Sequence, residues 1–382
     1  MRLAVIGIFL AGAGVASAAN LAETQKLLAR IKSVSEEGAG NQEAGAAWKD
    51  LVLSGGDALL PTIAAIDDAS PVAANWLRSA VNALAEKEKA AGRNLPVERL
   101  EAFAKDTKHA PAARRIAYEL LITADPKAPE RLLPGFLNDS SGELRRDALA
   151  AEIRKADRHE GEKAKREFGR LFAYVRDPDQ AEEIAKTLDT LGARPNLIAH
   201  FGVVTKWMIA GPFDHEMGAT FDKVYEPEKK VDLAAIYTGK GGAEVRWKHH
   251  VVEPDPKKLK MDELGIVDLN AVLGKHKNAT SYAYAVIESD KEQPVEIRLG
   301  CIVAVKLFVN GKEVFAREEY HHGSGFDQYR VPVTLKAGKN DLLVKACQND
   351  QKEPYAQVWH FMARVCDATG GATPVKVVTP EK

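Results

Sequence analysis

The period of apolar residues changes once along the chain, and the change divides it. From Leu21 to about Leu191 they recur every three or four positions. Leu21, Leu27, Leu28 and Ile31 outline one face, and Trp48, Leu51 and Val52 continue on the next segment. That spacing predicts amphipathic helices. Beyond Trp207 the period becomes two. Val295, Ile297 and Leu299 alternate with Glu296 and Arg298; Val303, Val305, Leu307 and Val309 then line one face as far as Asn310-Gly311. Asn-Gly between alternating runs predicts a hairpin, because a type I′ turn needs positive φ at both central residues. The chain returns through 312–315, and further strands are expected over 331–335, 342–347 and 358–365, with a turn at Ala337-Gly338-Lys339-Asn340. In the last strand Trp359, Phe361, Ala363 and Val365 share a face opposite His360 and Arg364. Many short strands with regular turns predict a β-sandwich or jelly roll.

The helical half contains a loose repeat. Leu59-Leu60-Pro61-Thr62-Ile63 precedes Asp67-Asp68-Ala69-Ser70-Pro71, as Leu132-Leu133-Pro134-Gly135-Phe136-Leu137 precedes Asn138-Asp139-Ser140-Ser141. Each is an apolar helix ended by a polar cluster able to cap the next one. Second helices follow around Ala80, Ala117 and Ala148, where small side chains allow close packing and a preceding Arg can reach the acidic turn. Over about residues 50–155 this resembles HEAT-like repeats, whose helix pairs stack into an α-solenoid. Helices near 163–175 and 180–191 would cap it. The Arg114-Arg115 and Arg145-Arg146 pairs raise the question of an anion site, although local Asp and Glu are the commoner partners. Gly192-Ala193-Arg194-Pro195-Asn196 breaks the pattern and places the domain boundary near residue 198.

A second resemblance covers nearly all of residues 205–366. Its marks are Trp207 with Gly211-Pro212-Phe213, Phe221-Asp222, Tyr225-Glu226-Pro227-Glu228, Tyr237-Thr238-Gly239-Lys240 and Val245-Arg246-Trp247. Val305 to Lys312 and Val333 to Asn340 complete the series. Together they resemble the galactose-binding-like β-sandwich modules of exported bacterial proteins, particularly those of planctomycetes and their relatives. The resemblance implies a module that binds carbohydrate or accompanies glycan-processing enzymes. The chain departs from it at Cys301-Ile302, where relatives usually carry acidic residues, and at Lys339, often aromatic there. The expected organisation is a signal peptide over 1–19, a HEAT-like α-helical domain over 20–197, a jelly-roll or galactose-binding-like β-sandwich over 198–367 and a flexible tail over 368–382. Within it, Trp207 and Phe213 read as first strand and core, with the Pro227-bearing loop lying over an edge.

Composition narrows the function. Lys and Arg number 53 against 54 Asp and Glu, a formal net charge of -1, which lacks the basic footprint of nucleic-acid binding. Met1-Arg2, an apolar run to Val15 and Ala16-Ser17-Ala18-Ala19 match a secretory leader cleaved near Ala18 or Ala19. Export to the periplasm or exterior is therefore expected, with no transmembrane segment. The 3 cysteines, Cys301, Cys347 and Cys366, read as buried small side chains with room for one bridge of undetermined pairing.

Catalytic motifs fail on inspection. His215-Glu216 begins a zincin pattern that ends at Ala219, and His159-Glu160 one that ends at Lys163. Gly323-Ser324-Gly325 lacks the glycine spacing of a nucleophile elbow, and Gly239-Lys240-Gly241-Gly242 that of a P-loop. The histidine pairs at 249–250 and 321–322 cannot chelate one metal from a regular strand, whose adjacent side chains oppose each other. No metal and no cofactor is expected. Sugar recognition needs an aromatic platform and polar side chains. Trp247 is one candidate platform; the favoured binding set is Arg317, Tyr320, His321, Tyr329, Tyr355 and Gln357, mostly in loops. The leading expectation is a non-catalytic binding or scaffolding protein, its sandwich contacting a glycan and its helical repeats a protein. A glycan-active hydrolase, or its accessory subunit, with dispersed catalytic acids is the alternative.

Overall fold

The computed structural model describes residues 10–217, 219–253 and 259–380, with side chains from residue 20 onward. The protein combines helices with antiparallel sheets and divides into two compact units, one ending at Glu152 and one beginning at Ile153. The first carries α1 (Leu10–Lys32), α2 (Asn41–Leu53), α3 (Leu59–Ala64), α4 (Pro71–Ala90), α5 (Val97–Lys105), α6 (Pro111–Ala124), α7 (Ala128–Leu132) and most of α8 (Gly142–Ala156). The expected leader falls on residues 1–9, outside the described residues, and on the opening turns of α1. Among the described residues no helix is long and apolar enough to cross a membrane.

Apolar faces of these helices meet in one core containing Ile31, Leu51, Ile63, Leu77, Leu100, Ile116 and Leu144. Ser70 starts α4 by accepting the Ala73 N–H at 3.2 Å, with Pro71 at the first helical position. The arginine pair in α6 is consumed internally. Arg114 is fully buried and forks onto Asp139 at 2.8 and 2.6 Å, while Arg115 reaches Glu119 and Asp147. Arg145 donates to the Asp139 carbonyl at 2.7 Å. These arginines tie successive turns together.

The second unit begins with helices. α9 (Gly161–Phe172), α10 (Pro178–Thr190) and α11 (Leu197–Phe201) belong with the strands, so the division lies well before residue 198. The cause is contact: Glu182 of α10 accepts the Met261 N–H at 2.7 Å, and His200 bonds the Val175 carbonyl at 2.9 Å. The strands are β1 (Lys206–Asp214), β2 (Tyr237–Thr238), β3 (Glu244–Val245), β4 (Lys248–Val251), β5 (Val267–Asp268), β6 (Ala279–Ser289), β7 (Gln293–Cys301), β8 (Ala304–Val309), β9 (Lys312–Arg317), β10 (Tyr329–Leu335), β11 (Gly338–Gln348), β12 (His360–Cys366) and β13 (Val375–Val378). A larger sheet runs β4-β1-β6-β11-β8-β9, a smaller one β10-β7-β12-β5, and β2 pairs with β3. Short helices α12 (Glu226–Lys229) and α13 (Leu269–Leu273) interrupt the strands.

Residues from both larger sheets share one apolar core. Val295, Ile297 and Leu299, Val303 to Val309 at alternate positions, and Trp359, Phe361, Ala363 and Val365 all enter it, as the alternation predicts. Asn310 and Gly311 have φ of 52° and 77°, the positive pair the hairpin requires. All three cysteines are buried free thiols, without a bridge.

Two expectations change. The segment after β1 covers the outer face of the larger sheet, not an edge: Tyr225, Leu233, Tyr237 and Trp247 pack over Met208, Phe213, Tyr282 and Tyr284. Trp247 is thereby buried, its indole N–H donating to the Tyr237 hydroxyl at 3.1 Å. The tail expected to be flexible supplies β13, which pairs with 286–289 of β6 beyond the point where β1 leaves that strand. A strand edge left open by β1 and a β-branched Val-Lys-Val-Val segment account for the pairing.

Candidate functional site

The connections β9–β10 and β11–β12, with the strand ends that border the first, carry the six expected binding residues, and the structure separates them. Arg317 ends β9 exposed, with its guanidinium 3.2 Å from Glu319. Tyr320 turns inward against Phe221, Ala304 and Cys347, and its hydroxyl meets His215 Nε2 at 2.8 Å. Burial pushes the His215 pKa down to about 4, so the ring is neutral at pH 7. His321 sits at φ 56° with Nε2 2.9 Å from Asn349 Oδ1. That oxygen only accepts, so Nε2 carries the proton. Tyr355 is the open member, 59% exposed, standing edge-on to His321 with ring centroids 6.3 Å apart. Tyr329 packs on Phe315, and its hydroxyl lies 2.9 Å from His322 Nε2. Gln357 faces away, into a cleft.

That cleft has a volume of about 790 Å³ and lies within the second unit. Its polar lining comes from separate elements. Asn196 caps α11, its Oδ1 accepting the Ala199 N–H at 3.0 Å. Asp268 caps α13 through Oδ1 and the Ala271 N–H at 3.2 Å. Asn270 donates Nδ2 to the Gln357 carbonyl at 2.8 Å, and Gln357 donates Nε2 to the Lys352 carbonyl at 2.8 Å. Each amide is thus oriented by one of its two ends. Among the described residues the opposite ends, Asn196 Nδ2, Asn270 Oδ1 and Gln357 Oε1, meet no protein partner. His360 lies beside Asp268 in the same lining, and Leu264, Ile266 and Val358 supply apolar wall.

A covering loop completes this end. Asp327 accepts Arg298 at 2.6 Å and Arg364 at 2.6 and 2.7 Å, all on the outer face of the smaller sheet. These arginines hold the buried Asp327 carboxyl below its ordinary pKa, although desolvation opposes them. Phe326 stacks edge-on with Phe201 and lies under the Arg364 guanidinium. Ser324 Oγ is 2.8 Å from His360 Nε2. Where the resemblance expects acids, Cys301 is buried, which pushes its thiol up to about 12. Among the described residues no three His, Cys, Asp or Glu side chains stand grouped for a metal.

Of the expected residues, only Gln357 lines the cleft; Asn196, Asp268, Asn270 and His360 had no signal marking them as a set. The one local cue was the Asp268-Leu269-Asn270 capping pattern ahead of a short helix.

Comparison with known proteins adds little. No family model matches the chain, and no curated protein does. Among solved structures, the β-glucosidase of Kluyveromyces marxianus in complex with glucose is similar at a TM-score of 0.26 and 12% identity, covering 42% of this chain and 16% of that one. The selenomethionine form of that β-glucosidase gives 0.22 and 10%, covering 80% and 38%. The GH31 α-xylosidase of Xanthomonas citri gives 0.15 and 14%, covering 24% and 12%. This chain therefore spans well under half the length of these proteins.

Proposed function

We propose that the protein is an exported glycan-binding protein. In this reading the second unit is a galactose-binding-like β-sandwich of jelly-roll type, and the first is a HEAT-like solenoid that contacts a protein. The leader-like start at Met1-Arg2 supports export, and the repeated helix pairs support the solenoid. The observation that carries the glycan assignment is the cleft of about 790 Å³ bordered by Asn196, Asn270 and Gln357. Side-chain amides held by one end present the other to hydroxyl groups, which both donate and accept. A polyhydroxylated ligand is the class that uses such a lining with Asp268 and Lys275 beside it. The rings of Tyr355 and Tyr320 lie outside this lining, so recognition rests on hydrogen bonds and the aliphatic wall.

The test is binding of the full chain to a broad panel of plant, algal and bacterial glycans, followed by calorimetry on the best ligand. Asn270→Ala is expected to weaken binding about tenfold, the loss of one oriented hydrogen bond, while Tyr355→Ala leaves affinity unchanged. Absence of binding across the panel would overturn the assignment.

A further inference from the structure

The contact between Ser324 and His360 does more than close the loop. Ser324 Oγ lies 2.8 Å from His360 Nε2, the geometry of a nucleophile and its general base. His360 pairs in register with Asp268, and the Leu269 N–H donates to the Trp359 carbonyl. That bond flanks the pair, so His360 and Asp268 form a non-hydrogen-bonded couple, whose side chains approach most closely. Their neighbours Phe361, Val267 and Leu269 enter the core, so both polar side chains stand together on the outer face. Serine and histidine thus meet at 2.8 Å, with the aspartate in register beside the histidine on a third segment. Such groupings are recognised by geometry rather than by sequence position.

The loop that carries Ser324 is held on both sides. Asp327 is clamped by Arg298 and Arg364, and the Phe326 N–H donates to Asp262 at 3.0 Å. Gly300 admits the loop closely: a Cβ there would lie 2.5 Å from the Gly325 carbonyl oxygen. Burial lowers the His360 pKa and Asp268 opposes that shift. The imidazole is consequently neutral at pH 7, and Nε2 is the nitrogen that faces the Ser324 hydroxyl. Glu253, Glu263, Lys275 and Arg194 are the other charged side chains of the cleft that His360 enters.

We propose that Ser324, His360 and Asp268 form a hydrolytic centre for acyl esters at the edge of the cleft. The Ser324 hydroxyl proton passes to His360 Nε2 as Oγ bonds to the ester carbonyl carbon. Collapse of the adduct breaks the bond to the alcohol oxygen, which takes the proton from Nε2 and leaves. Water then gives a proton to Nε2 while its oxygen bonds to the acyl carbon. The acyl bond to Oγ breaks, Oγ recovers the proton, and a carboxylic acid departs. One ester and one water become one alcohol and one acid. Asp268 is a positioning residue, steadying the imidazolium that forms in each half. That the alcohol is a sugar hydroxyl rests on the glycan reading above; the centre itself does not.

The full chain is treated with a fluorophosphonate probe and, separately, with 4-nitrophenyl acetate. Labelling at Ser324, located by peptide mass spectrometry, and nitrophenolate release are expected. Ser324→Ala should abolish the label and lower kcat/KM by about a hundredfold or more. Asp268→Asn should shift the acid limb of the kcat/KM profile to lower pH, and Asp268→Glu should restore it, which a purely structural role would not do. Failure of the folded wild-type protein to label at Ser324 overturns the proposal without recourse to any variant. Turnover unchanged in Ser324→Ala overturns it as well. Ester turnover without glycan binding leaves this centre standing and removes only the sugar assignment.

Discussion

Arg114 shows how much a single side chain carries in the helical unit. It is fully buried, forks onto Asp139, and sends Nε to the Ala104 carbonyl at 2.9 Å. Removing it strands the Asp139 carboxylate without its charge partner, and that loss dominates any relief from desolvating a guanidinium. Arg114→Ala is expected to cost about 3–5 kcal/mol, the usual range for breaking a buried pair from one side. Urea unfolding followed by circular dichroism measures it; a loss under about 1 kcal/mol, typical of exposed pairs, would show that water replaces the guanidinium. That an arginine of this helix reaches an acidic turn could be read from the repeat, though not that the turn is that of Asp139, 25 residues on. The Tyr320 environment could not be. Its hydroxyl partner is His215, 105 residues away, and no spacing rule connects them.

At the scale of elements, Lys345 decides where the segment after β1 lies. This fully buried lysine in β11 donates to the carbonyls of Phe221 and Lys223 at 2.8 and 2.7 Å and to Glu228 at 3.0 Å, while Tyr282 also donates to Glu228. Lys345→Met keeps the length of the side chain but leaves two carbonyls unsatisfied and the Glu228 carboxylate without its charge partner under the cover. The expected outcome is proteolytic cutting within 219–235 at protease levels that leave the wild type intact; equal resistance would show that the aromatic packing alone holds the cover. Alternation made β7 of the smaller sheet legible, since Val295, Ile297 and Leu299 are separated by Glu296 and Arg298. It could not show the cover's position, because Tyr225 and Trp247 pack on a face whose own residues, such as Tyr282 and Tyr284, are apolar as well. In the same way β13 is not legible from pattern, as its pairing depends on how far β1 runs along β6. The cleft was hidden for a related reason: Asn196, the pair Asp268 and Asn270, and His360 come from three separate places, and only the folded sheets juxtapose them.

The whole molecule responds to acid through its histidines. His200, His215, His250 and His360 all have pKa values lowered from 6.5, with burial the leading cause in each. In the unfolded chain they take up protons as pH falls through about 6.5, whereas in the native protein they stay neutral longer, His215 down to about 4. The unfolded state therefore binds more protons through this window, and stability rises with pH. It is fully present above about 6.5 and is lost progressively toward 4. The paired carboxylates act lower: Asp327, whose native pKa is depressed, adds stability that is lost only below the ordinary carboxylate range. Urea midpoints between pH 7.5 and 4.5 should therefore fall steadily on acidification. Near pH 5 the His215→Asn protein should show a linkage slope lower by about one proton, whatever its stability at pH 7. An unchanged slope would mean that His215 charges in the native state as readily as in the unfolded one, and that its bond to Tyr320 does not exclude water from the ring.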